Sequence, residues 1–157
     1  MKPLIPFLML LSVFSSCSKS DDKCNITMGS PTTAELNTIQ TYLTGKGITA
    51  QSDSRGFYYR IINAGVGGAA PGATANVTVS YEGSLPNGSV FDATPAGQTR
   101  TFPLNGLIMG WQLGIPLVTK GGIIDLYLPP SLAYGCSAVG SIPAGSMLIF
   151  RITLVNY

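Results

Sequence analysis

The sequence predicts an α+β domain: an antiparallel β-sheet curled around one short α-helix, with an N-terminal helical extension. Three observations predict it. Beyond Gly56 the pattern shifts to a period of two, the spacing of half-buried strands. Only two stretches read as helix, one near residues 31–45 and a short one around Trp111. Gly and Pro number 19 and 11 of 157 residues, a turn content that fits a β-rich domain better than a helical bundle.

The first stretch is excluded from the fold. Residues 1–16 read as a signal peptide, with Lys2 followed by an apolar run from Leu4 to Phe14. That run is roughly 11 residues, short of the ~20 that span a bilayer. Ser15 and Ser16 then precede Cys17, and Phe14-Ser15-Ser16-Cys17 resembles a bacterial lipobox, although Phe14 stands where Leu is usual. In that reading Cys17 carries lipid and anchors the chain to a membrane. The plainer alternative is an ordinary cleaved signal with an incidental cysteine. Residues 17–29 are then the lipidated Cys and a flexible tether. The polar run Ser18 to Lys23 resembles the signals that send some Bacteroidetes-type lipoproteins to the cell surface. The expected location is the bacterial cell envelope: lipid-anchored at the outer membrane, on its periplasmic side or at the cell surface. Cys24 and Cys136 remain. An oxidising compartment permits a disulfide, and two residues allow one pairing, but spacing does not show whether they are within reach.

Residues 30–56 are expected to form the helical extension. Thr32 and Glu35 fit a capping box, and Pro31 suits a first-turn position. Leu36, Ile39 and Leu43 follow at helical spacing with Tyr42 beside them, and Gly45 and Gly47 end the run. The stripe is narrow, so this helix packs on the main domain.

Residues 57–157 form that domain. Phe57 to Ile62 reads as a strand, and residues 65–72 as a Gly-rich loop. Val77, Val79 and Tyr81 alternate with Thr78, Ser80 and Glu82. The turn Pro86-Asn87-Gly88 leads to Val90-Phe91-Asp92. Ile108 to Leu113 suits one short helix. Ile124, Leu126 and Leu128 alternate with Asp125 and Tyr127, and Pro129-Pro130 stop that strand. The final strand alternates Leu148, Phe150, Ile152 and Leu154 with Ile149, Arg151, Thr153 and Val155. Leu148, Ile152, Leu126 and Val79 belong to the core.

Composition removes whole classes of chemistry. Nine Lys+Arg against seven Asp+Glu leave a net charge of +2, so no basic field holds nucleic acid. There is no histidine, which excludes His-dependent triads and His-ligated zinc or haem. Three cysteines cannot make a Cys₄ site. No cofactor and no metal site is expected. Asp92 and Asp125 fall on different strands, with no sign that they converge as an acid–base pair.

The motifs carry a resemblance. Val77-Thr-Val-Ser-Tyr-Glu-Gly83 is followed by Asn87-Gly-Ser-Val-Phe-Asp92, Phe102-Pro-Leu, Leu107-Ile-Met-Gly-Trp111 and Gly121-Gly122. Leu128-Pro-Pro-Ser-Leu-Ala-Tyr-Gly135, Ile142-Pro143 and Leu148-Ile-Phe150 complete the series. In this order and spacing, from about Phe57 to Tyr157, they resemble the FKBP-type peptidyl-prolyl cis-trans isomerases, in a lipoprotein form similar to those of Bacteroidetes. The resemblance implies a five- or six-stranded sheet curled on a short helix, with a ligand pocket between them. It implies a rotamase acting on X–Pro bonds of unfolded or exported polypeptides, open to the family's macrolide inhibitors, and nothing requires more than a monomer. It places Trp111 at the pocket floor, with Tyr81, Phe91, Phe102 and Phe150 as aromatic walls. Leu107 and Ile108 line one side, and the Ile108 N–H meets a ligand carbonyl. Tyr134 offers its hydroxyl to a substrate carbonyl, Asp92 is an acceptor at the rim, and Ile142 closes the far edge. Any one of these aromatics alone reads as core; Trp111, Tyr81 and Tyr134 together carry polar groups that need partners. The chain departs from the family in the loop from Cys136 to Ser141, which lacks a common His, and at Gly106 and Met109, where charged residues are frequent. The rival readings are a lipid-anchored module that binds proline segments with little turnover, and a structural envelope lipoprotein with a vestigial pocket.

Overall fold

The computed structural model describes residues 24–157. The signal peptide expected at residues 1–16 and the lipid site expected at Cys17 lie outside the described residues. Helix α1 (Thr33–Gly45) is followed by strands β1 (Gln51–Asp53), β2 (Phe57–Asn63), β3 (Asn76–Ser84), β4 (Val90–Ala93) and β5 (Arg100–Pro103). Then come helix α2 (Met109–Gly114), β6 (Ile123–Leu128) and β7 (Leu148–Asn156). All seven strands join one antiparallel sheet in the order β1-β2-β6-β7-β3-β4, with β5 also paired to β3. This is the expected antiparallel sheet on one short helix. The sheet has more strands than the five or six expected, because β1 and β5 are strands of three and four residues that carry little periodicity of their own.

β3 organises the sheet. It pairs along one edge with β7 and shares its other edge between β4 and β5. Its inward residues Val77, Val79 and Tyr81 face the same interior as Leu148, Phe150, Ile152 and Leu154 of β7, and all are buried. This alternation is what the sequence predicts. β6 departs from it. Asp125 and Tyr127 were expected on a solvent face, yet they are 4% and 2% exposed. The cover is specific. Arg60, Asp125 and Arg151 stand opposite one another on β2, β6 and β7. Arg60 Nη2 and Arg151 Nε each donate to the carboxylate at 2.7 Å. One register position away, Tyr58, Tyr127 and Ile149 form a row. Ile39 and Leu43 of α1 pack on that row, together with Met147. Cross-strand neighbours at this spacing interact directly, so the outer face of β6 is a second, smaller core.

α1 is capped as expected: Glu35 N–H donates to Thr32 Oγ1, and Glu35 Oε2 accepts from the Thr32 N–H. Thr32 is the N-cap, which places Pro31 before the helix rather than in its first turn. Pro31 instead packs on Gly56, where an added Cβ would come within 2.5 Å of the Pro31 ring. β1, within the stretch expected as the extension, pairs with β2, so extension and domain share one sheet. Cys24 and Cys136 form a disulfide, with Cα atoms 5.6 Å apart.

Candidate active site

α2 fixes the site because it lies unusually close to the sheet. Gly110 and Gly114 stand four residues apart on one helix face. A Cβ at Gly110 would collide with the Leu128 methyls, and one at Gly114 would come within 2.6 Å of the Leu126 methyls. Glycine at both positions brings the helix onto β6 and drives Trp111, 4% exposed, into the concave face. The start of α2 is braced by Gln112, whose side-chain amide donates to the Leu107 carbonyl at 2.7 Å. Ile108 is the N-cap of α2, and its carbonyl accepts from the Trp111 and Gln112 N–H groups. The Ile108 N–H has no hydrogen-bond partner among the described residues.

Around Trp111 the aromatic rings interlock edge to face. Trp111 meets Tyr81 at 5.1 Å and 82°, and Phe150 at 5.2 Å and 89°. Phe150 in turn meets Phe91 at 5.5 Å and 82°. These are favoured quadrupole geometries. Gly83 makes the last contact possible: a Cβ there would lie 2.6 Å from Phe91 and 2.7 Å from Phe150. The rings line a cavity of about 410 Å³. Tyr81, Phe91, Asp92, Phe102, Leu107, Ile108, Trp111, Tyr134, Ile142 and Phe150 all border it, so every pocket residue singled out in the sequence converges there. Asp125 does not: it is held on the opposite face of the sheet by its two arginines.

The rim is polar. Tyr81 Oη donates to Asp92 Oδ2 at 2.5 Å and accepts from Arg100 Nη1 at 3.0 Å. Arg100 also pairs with Asp92 at 3.6 Å. Burial pushes the Tyr81 hydroxyl up to about 12, and its hydrogen bond to Asp92 adds to this; Arg100 opposes both. Burial also raises Tyr134, with the Asp92 charge a second cause. Both phenols are therefore neutral donors at ordinary pH. Arg100 is a site residue that sequence reasoning missed. Its signal was present, since it stands two residues before Phe102 on one strand and so shares its face. The loop residues Val139, Gly140 and Ser141 also border the cavity and were missed. They are placed by reciprocal backbone hydrogen bonds between Val139 and Ile142, at 3.0 and 2.9 Å, a turn with no residue pattern to announce it.

A hydrophobic slot floored by an indole, with neutral donors at its rim and a half-turn of backbone offering a free N–H, defines a protein that grips a short apolar segment and its carbonyls. The chain belongs to the FKBP-type peptidyl-prolyl cis-trans isomerase family, whose pattern matches residues 67–155. It is 41% identical to the isomerase FkpA of Buchnera aphidicola over 112 residues, 71% of this chain and 44% of the relative. It is 42% identical to the isomerase Mip of Coxiella burnetii over 105 residues, 66% of this chain and 45% of the relative. The chain thus spans less than half the length of these curated relatives. Its fold is similar to the crystal structure of FkpA from Escherichia coli, with a TM-score of 0.69, 35% identity and coverage of 78% of this chain and 57% of that one. It is also similar to an isomerase from Pseudomonas syringae, with a TM-score of 0.66, 29% identity and coverage of 80% and 95%.

Proposed function

We propose that the chain is a peptidyl-prolyl cis-trans isomerase that accelerates X–Pro rotation and assists folding of exported polypeptides, held at the bacterial envelope by lipid on Cys17. The observation that carries the catalytic reading is the dry aromatic cavity on Trp111 beside an unengaged Ile108 N–H. An X–Pro bond resists rotation by about 18–20 kcal/mol because of amide resonance, while its two isomers differ by only about 0.5–1 kcal/mol. No bond has to break. A catalyst need only bind the twisted amide better than either planar form. Twisting removes resonance, so the carbonyl loses polarity, and an apolar slot favours that state over the hydrated planar amide. The proline ring lies on the Trp111 indole between the Tyr81 and Phe150 rings. The Ile108 N–H takes one flanking carbonyl, and the Tyr134 hydroxyl another. Asp92, tied to Tyr81 and Arg100, keeps the rim wall fixed and receives the displaced carbonyl carbon region through its charge. The same surface suits the family's macrolide inhibitors. The signal-like run to Phe14 and the lipobox-like ending at Cys17 support the envelope location.

Exchange spectroscopy on an X–Pro peptide tests the activity: sub-stoichiometric protein speeds cis-to-trans exchange many-fold. Peptide binding without acceleration would leave only the anchored binding module. Mass analysis of the chain from a bacterial membrane tests the anchor, with lipid expected on Cys17 and none after Cys17→Ala.

A further inference from the structure

The segment between Cys24 and α1 makes contacts that a tether would not require. We propose that residues 24–35 form a strap that belongs to the isomerase site, with Glu35 and the Cys24–Cys136 bridge acting as positioning groups for Tyr134; this rests on the isomerase reading above.

The backbone carrying Tyr134 is held on both sides. Three residues before it, Ser131 is fully buried, and both of its backbone polar groups are taken by the strap. The Ser131 N–H donates to Glu35 Oε1 at 3.0 Å, and its carbonyl accepts from the Gly29 N–H at 2.8 Å. Two residues after Tyr134, Cys136 is bonded to Cys24. Between them, Gly135 lies against Met28: an added Cβ would come within 2.6 Å of the Met28 sulfur. Gly135 also accepts from the Gly145 N–H at 2.8 Å, and Ile26 and Cys24 flank Gly145. The strap continues to the other wall of the cavity, where Gly29 packs on Met109, one residue after Ile108.

Glu35 shows that this is more than helix capping. Its Oε2 alone completes the capping box with Thr32. Its Oε1 is given to a backbone N–H 96 residues away. Deleting that acceptor leaves a buried donor unsatisfied, which a fold tolerates poorly. The Tyr134 turn then loses its N-terminal hold. Deleting the disulfide removes the C-terminal hold.

The test uses the full chain, with peptide exchange kinetics and thermal unfolding measured together. Glu35→Ala and the Cys24→Ser/Cys136→Ser pair are expected to raise KM about threefold to tenfold, the scale of one net hydrogen bond, with kcat little changed. Glu35→Gln restores the wild-type KM, because its amide oxygen still accepts from Ser131. In a Tyr134→Phe background the strap substitutions add no further loss. A merely structural strap would lower the melting temperature without that KM pattern, and this outcome, or an equal loss in the Tyr134→Phe background, overturns the proposal. If the cysteine pair unfolds, the Glu35→Ala and Glu35→Gln comparison decides alone. A wild type without acceleration would contradict the isomerase reading itself, whereas an active wild type matched by its folded strap variants would overturn only the strap.

Discussion

Trp111 joins packing to chemistry at a single residue. Its indole holds two edge-to-face partners, Tyr81 and Phe150, and forms the floor on which a proline ring rests. Each such aromatic pair contributes about 0.5–1.5 kcal/mol. Trp111→Leu is therefore expected to lower kcat/KM by roughly tenfold to a hundredfold, since ~1.4 kcal/mol is tenfold. Peptide exchange kinetics check it. Tyr81 gives a second prediction. Its proton is held more tightly in the folded state, up to about 12 against an ordinary value of 10.0. The stability this contributes is fully present below pH 10 and is lost as pH rises through about 12. Alkaline unfolding should therefore steepen between those values, and Tyr81→Phe should flatten it. At this scale the sequence was most informative where a residue type is rare and chemically marked, as with Trp111, Tyr81, Tyr134 and Asp92. Arg100 escaped because a lone arginine on a short strand looks like any solvated charge until Tyr81 and Asp92 are seen beside it.

Among the elements, α2 and β6 are matched to each other. Gly110 and Gly114 present a bare helix face to Leu128 and Leu126. Gly110→Ala forces the helix outward and is expected to destabilise the domain by about 1–3 kcal/mol, the usual scale of overpacking. Denaturant unfolding measures it, and reduced peptide binding should accompany it because Trp111 moves with the helix. The strands were legible where they are long: β3 and β7 alternate cleanly over nine residues each. β6 misled for a physical reason. Alternation reports which side chains dislike water, not which are covered, and Asp125 and Tyr127 are covered by partners far away in sequence. The pairing of Asp125 also has a sign. Burial raises its pKa, but the hydrogen bonds and charges of Arg151 and Arg60 win and hold it below the usual carboxylate range. That stability is present above the ordinary carboxylate pKa and is lost as pH falls through the folded value. Asp125→Asn should remove this acid-limb dependence in pH-resolved thermal melts.

The whole molecule has two cores on the two faces of one sheet. The larger lies under α2 and carries the cavity; the smaller lies under α1 and carries none. α1 is thereby part of the fold's stability. Ile39 is fully buried, and Ile39→Ala is expected to cost about 2–5 kcal/mol in denaturant unfolding. The motif order reached the fold and the pocket's residues together, because both are set by local strand, turn and helix signals. The course of residues 24–31 was not legible, since its contacts are single backbone hydrogen bonds and a disulfide whose partners lie more than a hundred residues apart. One measurement tests the central claim most directly. Cis-to-trans exchange of an X–Pro peptide is followed with the wild-type chain beside the Trp111→Leu/Tyr134→Phe double variant, both verified as folded. The account predicts acceleration by the wild type that collapses in the double variant; equal acceleration by both would contradict a site built on this pocket.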